Sequence, residues 1–104
     1  MDDIHLRKRS SNKNGEVFDV MLNSRVVGDI RYKTGIHSGG ATIAIYIKPY
    51  YRGRGYAEDA EDALAQRIGA SKLYAEINAD NARSERMHKK AGFEKLGSLW
   101  VKTY

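Results

Sequence analysis

The fold of this chain is decided by the stretch Ile47-Lys48-Pro49-Tyr50-Tyr51-Arg52-Gly53-Arg54-Gly55-Tyr56-Ala57. It joins a nearly continuous apolar, β-branched run at 41–47, typical of a central strand, to a helical pattern at 56–69. Two glycines at this junction let the backbone turn tightly and approach a ligand closely. The amides of such a turn and of the first helical residues converge in front of the helix dipole. The stretch therefore predicts an anion-binding loop, with the charges of Arg52 and Arg54 beside it.

Taken alone, the same pattern also fits an ordinary strand-to-helix turn with exposed arginines. It is not the dinucleotide-binding fingerprint, because the third glycine position of that motif falls on Glu58. It is not a P-loop either, because no Gly-Lys-Ser/Thr sequence follows. The order of elements along the rest of the chain decides between the two interpretations.

The flanking sequence predicts a mixed α/β (α+β) plan with one strand–helix–strand unit. A short first strand is followed by a polar loop at 10–15 and by an antiparallel hairpin at 16–22 and 25–33. Further strands are predicted at 72–78 and, as a pair turning near Gly97-Ser98, at 93–104. The last helix is capped by Asp80 or Asn81 and runs to about Ala91. On the first helix the apolar residues share one face, whereas Glu58, Asp59, Glu61 and Asp62 lie in the first turns, where acids suit the helix dipole.

Length and composition restrict the class of protein. A chain of 104 residues with 41% hydrophobic residues fits one domain, 1–104. The formal net charge of +5 favours an anionic partner, and the absence of cysteine excludes disulfides and a thiol nucleophile. The first residues contain no apolar run long enough for a signal peptide or a membrane span, which predicts a cytoplasmic protein. His5, His37 and His88 lack ligand spacing, so no metal site is predicted.

The stretch at 47–57 resembles the acetyl-CoA signature of the GNAT superfamily of N-acetyltransferases. That signature is Arg/Gln-x-x-Gly-x-Gly/Ala, here Arg52, Gly55 and Ala57, often preceded by Pro-x-Tyr. A second block follows in the order of the family, with Ala75-Glu76-Ile77, Asn81 and the closing element Met87-His88-Lys89-Lys90-Ala91-Gly92-Phe93. The resemblance implies a mixed, mostly antiparallel twisted sheet with two main helices.

The resemblance also implies a function. The chain would move an acetyl group from acetyl-CoA to a primary amine by direct attack in a ternary complex. The pantetheine arm would lie between strands 41–47 and 73–78, and the amides of 54–57 would hold the pyrophosphate. The cofactor-binding residues implied are Ile47, Arg52, Gly53, Arg54, Gly55, Tyr56, Ala57, Asn81 and His88.

Three departures from the family pattern bear on catalysis. The two helices that usually follow the first strand and wall the acceptor site are missing, so the cleft would be open on one side or completed by a partner subunit. The usual glutamate base is replaced by Thr42 and its neighbours. The usual tyrosine acid is replaced by His88, which becomes the candidate proton donor, and Glu76 becomes the candidate base ahead of Tyr46 or Asp29. Each has a plainer interpretation, His88 as a core histidine and Glu76 as a solvated strand residue.

Two other functions remain open at this point. The missing glutamate and helices also fit a catalytically inactive acyl-CoA-binding module. The basic residues Arg83, Arg86, Lys89 and Lys90, with nearby tyrosines, also fit a nucleic-acid-binding protein, although charges on the outer face of a last helix are usually only solvated. The acceptor would be a small molecule or a polypeptide, with no membrane partner. A homodimer is a further expectation, since Trp100 and Tyr104 lie in a strand-rich C-terminal segment.

Overall fold

Seven strands form one sheet, and two helices pack on it. The computed structural model describes residues 3–104. The strand order is β1-β2-β3-β4-β5-β7-β6, and every neighbouring pair is antiparallel except β4 with β5. The elements are β1 Ile4–Asn12, β2 Gly15–Leu22, β3 Arg25–Lys33, β4 Ala41–Ile47, a single 3-10 turn Pro49–Tyr51, α1 Tyr56–Ile68, β5 Lys72–Glu76, α2 Ala82–Lys90, β6 Glu94–Leu96 and β7 Leu99–Thr103. The predicted mostly antiparallel mixed sheet with two main helices is confirmed.

The sequence predicts a loop at 10–15, but only Lys13 and Asn14 form a turn; the prediction is wrong for residues 10–12 and for Gly15, which belong to strands. β1 continues to Asn12 and pairs directly with Gly15 of β2. The side chain of Asn12 closes the turn, since its Oδ1 accepts hydrogen bonds from the amides of Asn14 at 2.8 Å and of Gly15 at 3.1 Å. Polar side chains do not prevent strand pairing here, because β1 lies at the edge of the sheet and its side chains at 10–12 are exposed to water. No room remains between β1 and β2 for the two helices of the family pattern.

The two central strands separate after a short parallel contact. β4 and β5 pair only from Ala41 with Leu73 to Ile43 with Ala75. Beyond Ile43, β4 stays paired with β3 as far as Ile47, whereas β5 ends at Glu76 and not at the predicted residue 78. The separation leaves a gap between the carboxyl ends of two adjacent parallel strands, which is the usual position of a ligand in α/β sheets.

Both helices lie on one face of the sheet and bury the core. Along β2, β3 and β4 the opposite residues Phe18, Ile30 and Ile45 share this face. Phe18 and Ile30 are fully buried, and the guanidinium of Arg67 on α1 lies 4.7 Å from the centre of the Phe18 ring. We call this the helix face.

The opposite face of β1–β4 is charged, and no described helix covers it. Successive side chains of a strand point to opposite faces, so the residues that follow or precede the buried row of the helix face point to this one. They are Arg7, Asp19, Asp29 and Tyr46, which lie opposite each other across β1 to β4. Asp19 is buried beneath arginines, with Arg7 at 2.9 Å from its carboxylate. We call this surface the open face.

Candidate active site

A cavity of about 450 Å³ opens where β4 and β5 separate. One wall is the end of β4 with the loop that follows, and the other wall is α2. Its size is in the range of pockets that hold small molecules and cofactors. The lining residues are Ile45, Tyr46, Ile47, Tyr51, Arg52, Gly53, Gly55, Tyr56, Ala57, Glu58, Asn81, Arg83, Ser84, Arg86, Met87 and Lys90.

The glycine loop has the conformation and the clearance of an anion cradle. Gly53 has φ +78° and Gly55 has φ +83°, a left-handed region that few other residues adopt. Apart from each glycine and its neighbours in the chain, no heavy atom lies within 4 Å of where a Cβ would stand at either position, so the space above the loop is open. Gly55 is the N-cap of α1, and the Asp59 amide donates to its carbonyl at 3.1 Å. The preceding amides of the first turn, at Ala57 and Glu58, have no carbonyl partner within the helix.

The two arginines of the loop differ in position. Arg52 lines the cavity, and its Nε donates to the carbonyl of Ile47 at 2.7 Å, which fastens the loop to the end of β4. The Arg54 side chain does not line the cavity, because its guanidinium lies 5.6 Å from the centre of the Tyr50 ring. The charge that a bound anion would meet from this loop is therefore chiefly that of Arg52 and the helix dipole.

The second wall carries a basic stripe whose side chains are solvent-exposed, as the sequence predicts, and yet border the cavity. Arg83, Arg86 and Lys90 line the cavity, and only Lys89 of that basic group does not. Their spacing of three and four residues places them on one side of α2, and this periodicity is the signal that could have predicted the stripe. With Arg52 they give the cavity four cationic side chains against the single carboxylate of Glu58.

Asn81 and Ser84 connect this wall to the start of α2. As predicted, Asn81 caps the helix, since its side chain accepts a hydrogen bond from the Ser84 amide at 3.1 Å. Both residues line the cavity. The cap and the predicted ligand contact are therefore compatible roles for Asn81.

His88 lies behind this wall and is not a lining residue. It is 2% exposed, and its Nε2 lies 2.7 Å from Oε2 of Glu61, which is fully buried. Its Nδ1 donates to the backbone carbonyl of Ser84 at 2.9 Å. Burial lowers the pKa of His88, but the hydrogen bond and charge of Glu61 outweigh it, so the pKa is raised overall. Burial also raises the pKa of Glu61, and His88 offsets only part of that effect.

Glu76, the predicted base, lies at the end of β5 beside the gap. It alternates with the buried Ala75 and so points to the open face, where its carboxylate lies 3.2 Å from Nε2 of His37. Its side chain is 62% exposed and does not line the cavity. The structure therefore separates the two predicted catalytic residues, with His88 on the helix face and Glu76 on the open face.

Most of the predicted cofactor-binding residues lie around one cavity. Ile47, Arg52, Gly53, Gly55, Tyr56, Ala57 and Asn81 line it, whereas the side chains of Arg54 and His88 do not. Ser84 and Met87 also line the cavity, although neither is among the predicted cofactor-binding residues; the helical periodicity of the basic stripe is the signal that points to them. The catalytic and binding roles of all these residues stay predictions.

Two classes of site are not found in the part of the chain that the structure describes. Within residues 3–104 no group of three or more histidine, cysteine, aspartate or glutamate side chains could hold a metal ion. Neither of the helices in this range has the length and apolar character needed to cross a membrane.

Residues 2–94 match the sequence profile of the acetyltransferase (GNAT) domain. The match covers most of the chain, and the chain belongs to the GNAT acetyltransferase family. The resemblance found in the two sequence blocks is thereby confirmed. None of the curated proteins matches the sequence significantly.

Solved structures with the same fold come from several acetyltransferases. One is the aminoglycoside acetyltransferase AAC(6')-Ib in complex with coenzyme A and kanamycin, with a TM-score of 0.74, 20% identity, and coverage of 88% of this chain and 67% of that one. Another is the microcin C7 self-immunity acetyltransferase MccE in complex with acetyl-CoA and AMP, with a TM-score of 0.73, 15% identity, and coverage of 88% and 62%. A third is RimJ of Mycobacterium smegmatis in complex with CoA-disulfide, with a TM-score of 0.71, 18% identity, and coverage of 86% and 53%. The chain thus spans between about half and two thirds of the length of these proteins.

Proposed function

We propose that this protein is an N-acetyltransferase that transfers an acetyl group from acetyl-CoA to a primary amine by direct attack in a ternary complex. The observation that carries the proposal is the open cradle of Gly53 and Gly55 at the start of α1, next to the gap between β4 and β5. Bound acetyl-CoA would supply the thioester. Attack of the amine on its acetyl carbon would form the amide and break the C–S bond; the nitrogen would lose one proton, and the departing sulfur would take one up to leave as the CoA thiol. The protein's part would be chiefly to hold the two substrates in reach of each other, which can supply several kcal/mol of the acceleration.

The residues present fit a diphosphate on the glycine loop. The cradle is wide because neither glycine has a Cβ and nothing else fills the space. Hydrogen bonds from amides at a helix start to a charged oxygen are each worth about 1.5–3 kcal/mol. Arg52 lies at the same place, and the apolar side chains of Ile45 and Met87 extend the cavity toward the gap.

We assign the acceptor amine to the open face, where no described helix closes the gap. Glu76 lies on that face beside the gap and is the proposed base, with His37 bound to its carboxylate. The absence of helices over this face favours a polypeptide acceptor over a small enclosed one. Acetylation of spermidine or an aminoglycoside with peptides left untouched would contradict that preference.

The test of the proposed function is thermal unfolding with acetyl-CoA, CoA, NADH and ATP at matched concentrations. A ligand at 100 times its Kd stabilises the native state by about 2.7 kcal/mol, which raises the Tm of a small domain by roughly 10–20 °C. We expect this rise with both CoA compounds only. No rise with either CoA compound would contradict the proposal.

Release of free CoA thiol then distinguishes the enzyme from an inactive acyl-CoA-binding module. The chain has no cysteine, so a thiol reagent reports only the product. Binding without turnover on any amine would favour the module. Binding of plain oligonucleotides that salt abolishes, with no CoA effect, would favour the nucleic-acid alternative.

A further prediction concerns the basic stripe of α2, to which we assign the 3′-phosphate of CoA. We expect CoA to bind roughly tenfold more tightly than 3′-dephospho-CoA, since partly exposed ion pairs contribute up to about 1 kcal/mol each. In an Arg83→Glu, Arg86→Glu variant the difference should vanish, as measured by titration calorimetry. Lys89→Glu is the control, because Lys89 lies on the same helix but not at the cavity. Equal affinities of the wild type for the two compounds would contradict the assignment.

A further inference from the structure

A glutamate and a histidine are buried together between the two helices, and the proposed chemistry uses neither as a reactant. Glu61 is 0% exposed and His88 is 2% exposed. Oε1 of Glu61 has no hydrogen-bond partner in the described part of the chain, and Oε2 lies 2.7 Å from Nε2 of His88. A buried ion pair rarely adds stability by comparison with an apolar pair of the same volume. The burial of Glu61 and His88 therefore needs an explanation other than stability.

The hydrogen bonds fix the number of protons that the pair holds. Nδ1 of His88 lies 2.9 Å from the carbonyl of Ser84 and 3.3 Å from the hydroxyl of the same residue. Because the nearer partner is a carbonyl oxygen, which only accepts, we place a hydrogen on Nδ1. Nε2 lies 2.7 Å from Oε2 of Glu61, and one more proton must lie between these two atoms. Written as imidazolium with carboxylate or as imidazole with carboxylic acid, the pair is neutral overall. Loss of the shared proton would leave a carboxylate facing a nitrogen lone pair.

Few other charged groups lie close enough to the pair to compensate for the loss of its shared proton. Asp62 on α1 and Lys102 on β7 face Glu61, and they are bound to each other at 3.0 Å. Tyr104 donates to the same Asp62 carboxylate at 2.7 Å. On the other side, His88 packs edge-on against the Phe93 ring, with 4.8 Å between ring centres.

The pair joins α2, which is one wall of the cavity, to α1, which begins at the glycine loop of the other wall. Glu61 lies on α1, whose first turn follows the glycine loop. His88 lies on α2 and is bound to the carbonyl of Ser84, a lining residue whose amide is held by Asn81. A continuous chain of hydrogen bonds therefore runs from α1 through the imidazole ring to the cavity side of α2.

We propose that Glu61 and His88 are positioning residues whose shared proton holds α2 against α1, so that the affinity of the cavity for CoA depends on that proton. The inference rests on the proposed function and adds a control of the same site. Removal of the proton introduces repulsion at the 2.7 Å contact and lets the Asn81–Ser84 side of the cavity move away from the glycine loop. Cofactor affinity then decreases at alkaline pH.

The test is the Kd of CoA by titration calorimetry from pH 7 to 9.5, in the wild type and in Glu61→Gln. Glutamine keeps the shape and a hydrogen bond to Nε2 but has no titrating proton. We expect the wild type to lose about tenfold in affinity relative to the variant across this range, which is about 1.4 kcal/mol. The ratio of the Kd values of the wild type and the variant at each pH cancels the effect of the ionisation of CoA itself. Glu85→Gln is the matched control, since Glu85 is the same residue type on α2 in a surface pair with Lys95 at 3.9 Å.

Several outcomes would overturn the proposal. Glu61→Gln and the wild type could show the same pH profile, or the control variant could change it as much. A Glu61→Gln protein with unchanged CoA affinity and a reduced kcat would also overturn it, and would favour the predicted role of His88 as a proton donor.

A second measurement needs no variant and applies even if Glu61→Gln does not fold. In nuclear magnetic resonance spectra of the wild type labelled with ¹⁵N-histidine, we expect one strongly deshielded, slowly exchanging proton coupled to the His88 ring. Its loss with rising pH should coincide with the loss of CoA affinity. Absence of this proton at neutral pH, or its loss with no change in affinity, would refute the positioning role. If the wild type binds no CoA compound at any pH, the proposed function fails instead.

Discussion

Replacement of Gly55 by aspartate is expected to weaken CoA binding on the order of 100-fold while the domain stays folded. Gly55 is the N-cap of α1 and is left-handed, with φ +83° and ψ +6°. Aspartate is among the non-glycine residues found with positive φ, so we expect the backbone strain of this replacement to be smaller than for most other side chains. Its carboxylate would occupy the cradle intended for a phosphate. The loss of one or two charge-assisted hydrogen bonds, about 3 kcal/mol, corresponds to the expected decrease in affinity.

Gly55→Asn is the matched comparison for this experiment. Asparagine has the same shape and the same backbone preferences but no charge, so it separates electrostatic repulsion from strain and obstruction. Gly97→Asp adds the same residue at a left-handed glycine, φ +65°, in the turn between β6 and β7. Titration calorimetry should rank the loss of affinity Gly55→Asp far above Gly55→Asn, with Gly97→Asp close to the wild type. Equal losses in Gly55→Asp and Gly97→Asp would show that the phosphates do not lie on this loop.

The second large effect concerns stability. His88→Leu should reduce the free energy of unfolding by about 3–5 kcal/mol, because it leaves the Glu61 carboxylate buried with no partner. Adding Glu61→Leu should restore most of that loss, since two apolar residues can pack between α1 and α2 without desolvating a charge. Urea unfolding of the wild type, the single variant and the double variant measures both quantities. A double variant as unstable as the single one would mean that packing of the ring against Phe93, not charge, dominates.

Removal of a surface pair is the control for this series. Glu85 and Lys95 lie 3.9 Å apart with partly exposed side chains, so Glu85→Ala should cost no more than about 1 kcal/mol. A comparable loss in both variants would show that burial of the Glu61–His88 pair is not what makes it energetically important.

The Glu61–His88 pair also determines how the free energy of unfolding changes with pH. In the unfolded chain above pH ~6.5, His88 is neutral and Glu61 is ionised, so the pair holds no shared proton. The folded pair holds one, and the pKa of His88 is raised in the fold. The folded state thus binds more protons, and stability falls by about 1.4 kcal/mol per pH unit as pH rises from ~6.5 to the raised pKa. The stabilisation by the shared proton is fully present below pH ~6.5. The Glu61→Leu, His88→Leu variant should lack this decrease of stability with pH.

The local pattern was enough to predict most elements of the fold. The apolar β-branched run of β4 predicts a strand, because such residues favour extended backbone. The glycines at 53 and 55 predict a tight turn, and the glycine at 69 predicts the end of α1, because glycine adopts positive φ more readily than other residues. The prediction of a loop is wrong for residues 10–12, which belong to β1. An edge strand tolerates polar side chains on both faces, so the alternation of polar and apolar residues that identifies a strand is missing here.

The candidate site was predictable where it is contiguous in sequence and not where it depends on how helices pack. The loop residues and Asn81 line one cavity, and so do Arg83 and Arg86 of α2, which are solvent-exposed as their charge predicts but also border the cavity. Helical spacing predicts that such residues share a side of α2 but does not say what that side faces. The direction follows only from the position of α2 beside the β4–β5 gap.

The sequence by itself determined the family, the glycine loop and the missing acceptor-side helices, because each of these depends on residue types at short spacing. Glu61 marks what only the tertiary structure decided. Its residue type suits the exposed first turns of a helix, and its spacing from Ala57 and Leu64 equally fits the buried side. The contact with His88, 27 residues away in sequence, places it inside. No local preference carries that information, because a buried charge is tolerated only where the folded chain provides its partner.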